Sequence, residues 1–115
     1  MDKDRLIAQG IDYEEGLNRF CGNAELYETF LKKFPKDETF RQLKDAMQQE
    51  DYKEAFNAAH TIKGVAGNLS LSCFYHKVVP FVDLLRNGSN IPKAKETFPE
   101  IEHEYKILVD FLNQI

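Results

Sequence analysis

Tryptophan is absent from this chain, and cysteine, proline and glycine are scarce: two, four and six of 115 residues. Few glycines and prolines disfavour a fold of many short strands and turns and favour long helices. Cys21 and Cys73 lie far apart without C-x-x-C spacing, too few for the disulfide framework of a small secreted domain. They read as two reduced thiols in or near the core. Long apolar runs are also missing. Val78 to Leu85 is the greasiest stretch, it is broken by Pro80 and Asp83, and nothing approaches the roughly 20 residues of a membrane span. The opening Asp2-Lys3-Asp4-Arg5 is followed by no apolar h-region, so a secretory leader is not expected. A cytoplasmic protein with no membrane partner is the expectation.

A basic excess is lacking too. Lys plus Arg number 15 against 19 Asp plus Glu, a formal charge of −4. Without a concentrated basic face the chain is a poor candidate for nucleic acid. The spacing Gly64-x-x-Gly67 matches a KH loop, but its helical context and the acidic chain argue against that use. No glycine-rich nucleotide loop is present, which with the short length excludes an ATP-using kinase. His60, His76, His103 and the cysteines show no close ligand spacing, so no metal site is expected.

What is present is bulk for a core. Hydrophobic residues are 43% of the chain, including nine Phe and five Tyr, and charged residues, 30%, are interspersed among them. The length suits one domain over residues 1–115. Periodicity and punctuation divide it into successive helices. A first turn around Asp4 to Gln9 ends at Gly10. Asp12 caps a short helix through Phe20, ended by Gly22. Asn23 caps the next, with Leu26, Tyr27, Phe30, Leu31 and Phe34 at helical spacing until Pro35 stops it. Asp37 or Thr39 opens another, with Phe40, Leu43, Ala46 and Met47 on one face. Asp51 caps a run of small residues through about Leu71. A further helix spans about Ser72 to Arg86, with Pro80 expected to kink it or delete one backbone bond. Asn87-Gly88-Ser89-Asn90 is the clearest loop. Pro92 suits the first turn of the last helix, with Phe98, Ile101, Tyr105, Leu108 and Leu112 as its stripe, although Pro99 suggests a later start. No period-two alternation long enough for a strand occurs. Short connections between amphipathic helices predict an all-α antiparallel bundle.

The stretch Ala59-His60-Thr61-Ile62-Lys63-Gly64-Val65-Ala66-Gly67-Asn68-Leu69 carries the chemistry. At about 100° per residue, Ala55, Ala58, Ile62, Val65, Ala66 and Leu69 share one side and read as core. Phe56, His60, Lys63, Gly64, Gly67 and Leu71 fall on the other. Each glycine in a helix interior costs about 1 kcal/mol relative to alanine. Two of them beside a histidine remove bulk and would let another protein's backbone come close. Lys63, at i+3 from His60, sits beside it and could offset charge on a phosphoryl group attached to the ring. Imidazole presents a neutral nucleophilic nitrogen near neutral pH, so attack on an acyl phosphate would give a phosphohistidine able to pass the group on. His76 in Tyr75-His76-Lys77 and His103 in Glu102-His103-Glu104 read as surface residues.

This pattern resembles the histidine-containing phosphotransfer (HPt) family of bacterial type, whose signature is A-H-x-[LI]-K-G-x-[AS], often followed by x-N-[LI]-G. Here the chain reads Ala59-His60-Thr61-Ile62-Lys63-Gly64-Val65-Ala66-Gly67-Asn68-Leu69-Ser70. The family's upstream pattern is matched by Gly10-Ile11-Asp12, Gly16-Leu17, Arg19, Gly22-Asn23 and Glu25-Leu26-Tyr27, and its downstream L-R-x-G by Leu85-Arg86-Asn87-Gly88. The resemblance covers about residues 10 to 112 and implies a four-helix bundle with one or two additional short N-terminal helices. It implies that His60 accepts phosphate and that Lys63 supports the phosphoryl group. It also makes Gly64 the glycine that permits docking; Gly67, Phe56 and Leu71, which share the His60 face as apolar or small surface, are expected to complete the rim. It implies a phosphorelay intermediate with no kinase activity and no cofactor of its own, the Mg²⁺ belonging to a partner receiver domain. Expected partners are response-regulator receiver domains and a hybrid histidine kinase, and the expected state is a free-standing monomer. The competing reading is an HPt-shaped docking module, or phosphate sink, that does not relay. Ser70 stands where the family has glycine, and Pro80 is unexpected in its helix.

Overall fold

Short polar side chains start most of the helices. In the computed structural model, which describes residues 1–115, Asp2, Asp12, Asn23, Asp51 and Asn90 each accept a hydrogen bond from a backbone N–H of the turn that follows. The helices they open are α1 (Lys3–Ala8), α2 (Tyr13–Arg19), α3 (Ala24–Lys33), α5 (Tyr52–Asn68) and α7 (Ile91–Leu112). Two more complete the set, α4 (Thr39–Gln48) and α6 (Ser72–Leu85). Asp37 organises the start of α4 by accepting from both the backbone N–H and the hydroxyl of Thr39. Pro35 lies in a 3-10 turn, Phe34–Lys36, that closes α3. Both internal prolines are absorbed: α6 continues through Pro80, and α7 starts at Ile91 and runs through Pro99 rather than beginning later. Pro80 and Pro99 are exposed. No helix is long and apolar enough to cross a membrane.

Four helices stop by one device. After α1, α4 and α5 a single residue adopts positive φ, Gly10 (80°), Glu50 (57°) and Ser70 (55°), and after α2 Cys21 (56°) does so with Gly22 (78°) behind it. The next N–H then reaches back to a carbonyl of the last turn, as in Asp51 N to Ala46 O at 2.9 Å and Leu71 N to Ala66 O at 2.9 Å. For a residue with a Cβ this conformation costs roughly 1–2 kcal/mol. At Ser70 a compensation is visible, because its hydroxyl donates to Glu15 Oε1 at 3.0 Å.

The tight joints fold α4, α5, α6 and α7 into an antiparallel four-helix bundle. α5 packs on α4 and α6, and α6 packs on α7. α7 closes the square on α4 through the stacked rings of Phe40 and Tyr105, 3.8 Å between centroids, and the Lys44–Glu102 ion pair at 2.9 Å. The core joins 26 buried side chains from the bundle and the N-terminal helices. Phe40, Leu43, Ala46 and Met47 are all buried, as the periodicity of α4 predicts. On α3 the predicted stripe splits: Tyr27 and Leu31 are buried, whereas Leu26 and Phe30 are exposed, because only one side of this short helix meets the bundle. The cysteines correct the expectation more fully. Cys21 sits in the α2–α3 turn and Cys73 on the outer side of α6, and both are exposed.

α1, α2 and α3 cover the end of the bundle where α5 turns into α6. Asp12 N donates to Ser70 O at 2.9 Å, and Cys73 N donates to Gly10 O at 3.0 Å. The buried Tyr27 hydroxyl donates to Leu69 O at 2.7 Å. Burial, reinforced by the carboxylates of Asp12 and Glu15, raises the Tyr27 phenol above its ordinary value, so it remains a neutral donor. The ring needs the bare backbone of Gly16, where a Cβ would stand 2.1 Å from the tyrosine oxygen. Gly16→Ala should therefore lower stability by about 2 kcal/mol or more, the scale of overpacking. Tyr27→Phe should cost about 1–3 kcal/mol through the unpaired carbonyl. Urea denaturation of both variants checks the two values.

Candidate functional site

α5 is two-sided. Ala55, Ala58, Ala59, Ile62 and Ala66 are buried. The small side chains of four of these five let α4 and α6 approach closely. On the outer side His60, Thr61, Gly64 and Asn68 are exposed, and Phe56, Lys63, Val65 and Gly67 are half-buried. Val65 was expected in the core; it packs only against the core's edge.

His60 projects from the middle of the helix, where neither end can fray under it. Its only aromatic neighbour is Phe56, one turn earlier, with ring centroids 5.7 Å apart. Lys63 is in none of the molecule's ion pairs. Its ammonium is thus not neutralised by a carboxylate of the same chain. Thr61 turns its hydroxyl inward to Asn57 O at 3.1 Å and does not compete for the histidine. At Gly64 an added Cβ would meet nothing within 4 Å, so the backbone is bare to solvent one turn from the imidazole.

Of the residues assigned to this face by the helical wheel, Leu71 does not belong to it and Gly67 is partly covered. Leu71 lies beyond the end of α5; it precedes α6, is 1% exposed, and forms part of the core. Ser70's left-handed conformation ends the helical register before Leu71 can follow it. Gly67 remains on α5, but it faces the first turn of α6, where an added Cβ would lie 3.3 Å from the Tyr75 ring. It is a packing glycine. A wheel gives direction around an axis, but not where along that axis a neighbouring helix begins to cover it.

The wheel also left residues unremarked. Asn68 continues the exposed row His60, Gly64, Asn68 at i, i+4, i+8. Val65, Asn68 and Leu69 form one wall of a cleft of about 470 Å³ whose other side is Phe20, Phe30 and Phe34, with Lys33 and Asp37 at the rim. The i+4 spacing could have found Asn68. The cleft required knowing that α2 and α3 fold back beside α5.

The family model described as Hpt domain matches residues 25–108. This chain belongs to the Hpt domain family. Hpt domains serve histidine phosphotransfer in phosphorelay signalling and interact with receiver domains and kinases of two-component systems. The matched span runs from α3 to α7 and includes His60; α1 and α2 precede it. No curated protein and no solved structure matches the chain.

The two glycines of this Hpt helix should respond differently to alanine. Gly64→Ala should gain roughly 0.5–1 kcal/mol of stability from helix propensity alone. Gly67→Ala should gain less, or lose, because Tyr75 must yield. Urea midpoints measured side by side decide it, and equal gains would contradict the packing role.

Proposed function

We propose that His60 accepts a phosphoryl group from the phospho-aspartate of a receiver domain and passes it to the aspartate of another. An unprotonated imidazole nitrogen attacks the phosphorus in line with the leaving carboxylate oxygen. The N–P bond forms as the P–O bond to the aspartyl group breaks, and the carboxylate is released on the receiver. Transfer to the second receiver reverses these roles. The Mg²⁺ that assists belongs, in this reading, to the receiver's acidic site. Lys63 offsets phosphoryl charge from this side.

The observation that carries the reading is the open backbone at Gly64, one turn from an exposed imidazole and beside an unpaired lysine. A receiver loop must bring its phosphorus to within bonding reach of the ring, and any side chain at position 64 would hold it off. Phe56, Lys63, Gly64 and Asn68 form the contact rim in this proposal. Gly67 and Leu71 are left out because they are engaged by α6 and the core.

The test is transfer from a phosphorylated receiver in Mg²⁺. The protein should gain label that is lost in acid and kept in alkali, and His60→Gln should take none while keeping its helicity. Lys63→Ala should slow transfer roughly ten-fold, the scale of one hydrogen bond to a charged group. Gly64→Leu should slow it strongly without loss of stability. Tight receiver binding with no label on the wild-type protein would replace the relay with a docking module.

A further inference from the structure

α6 ends by aiming a cation back at the helix that carries His60. Leu85 is buried, and the chain then turns outward through Arg86 and Asn87, the latter at φ 54°. The turn places the Arg86 guanidinium carbon 5.0 Å from the centroid of the Phe56 ring. Phe56 in turn lies against the His60 imidazole, at 5.7 Å and a 40° tilt. Guanidinium and imidazole thus both lie against the same phenyl ring. Asp83 Oδ1, 3.7 Å from Arg86 Nε, steadies the guanidinium from its own helix.

We propose that Arg86 is a positioning residue for His60. Stacked on Phe56, it holds the phenyl ring against the imidazole and so restricts the directions in which the nucleophilic nitrogen is presented. This rests on the reading of His60 as the phosphoryl acceptor.

Three physical points support it. Helical side chains lean toward the preceding turn, so His60 leans onto the residue four earlier, which is Phe56. An exposed imidazole otherwise exchanges among its rotamers, and a transfer requiring in-line geometry loses rate to every misdirected one. Phe56 is only half-buried and borders an open cleft of about 520 Å³, lined also by Tyr52, Asn57, Leu85 and Gly88. Without the guanidinium the ring has room to swing into that cleft. Arginine suits the task because its planar, weakly hydrated head stacks on an aromatic face, which an ammonium cannot do.

The experiment uses the whole chain and two readouts. NMR follows the His60 ring protons, which sense the Phe56 ring current, and labelling follows transfer from a phosphorylated receiver. Arg86→Ala should move the His60 resonances while those of His76 and His103 stay in place, and should slow transfer about 3- to 5-fold, the scale of an exposed cation–π contact. Phe56→Leu should do the same, and the double variant should be no slower than Phe56→Leu alone. Arg86→Lys should recover only part of the wild-type shift and rate. Unmoved His60 resonances in Arg86→Ala, rate losses that multiply in the double variant, or full recovery with lysine would each overturn the proposal. If the wild-type protein takes no label, the acceptor reading fails, while the resonances still decide whether Arg86 orders the imidazole.

Discussion

Everything in this molecule is arranged around how closely α5 can be approached. Ala55, Ala59 and Ala66 expose no surface at all, and Ala58 almost none. Methyl side chains on this face let α4 and α6 come near, and the filling comes from the partners, with Phe40 and Leu43 on one side and Phe74, Val78 and Phe81 on the other. Dispersion and apolar burial on that face therefore hold α5, more than its own helix propensity. That is why it tolerates Gly64 and Gly67, which together would weaken an isolated helix by about 2 kcal/mol. A helix anchored by its back can afford a bare front, and a bare front with a rigid axis is what an exposed phosphoryl acceptor needs.

The N-terminal helices act on the same helix from its end. The last carbonyls of a helix need partners, and here the end is buried, so water cannot supply them. Tyr27 serves Leu69 O, Asp12 N serves Ser70 O, and the Ser70 hydroxyl reaches Glu15. Gly16 makes the Tyr27 contact possible. Gly10, Asp12, Gly16 and Tyr27 of the upstream sequence pattern thus have a mechanical meaning. They clamp the α5–α6 joint, although residues before 25 fall outside the span matched by the family model. The cleft edged by Phe20 and Phe30 is a by-product of that clamp, since α2 and α3 must lie alongside α5 to reach its end.

Much of this was legible beforehand. Asp12, Asn23 and Asp51 cap the helices assigned to them, and Gly10 closes the first turn. These are local signals, decided by the few residues on either side. The misreadings share one cause, which is that a neighbour far along the chain settled the matter. Ser70 takes a left-handed conformation that its side chain does not favour and ends α5 short of Leu71, because the bundle requires a tight joint there. Pro99 sits inside α7 because its outward position leaves the missing N–H harmless to packing. Cys21, Cys73, Leu26 and Phe30 are exposed because burial depends on which helices meet, which composition does not state.

By itself, the order of residues determined that the chain is helical, where most helices begin, and that His60, Lys63 and Gly64 share one side of one of them. Spacing along a single helix is set by backbone hydrogen bonds four residues apart, so it can be read without knowing the rest. Only the tertiary structure decided that Gly67 packs against Tyr75, that Leu71 belongs to the core, and that Arg86 returns to lie on Phe56. Those outcomes depend on where α6 starts and stops relative to α5, and that is a property of two elements at once.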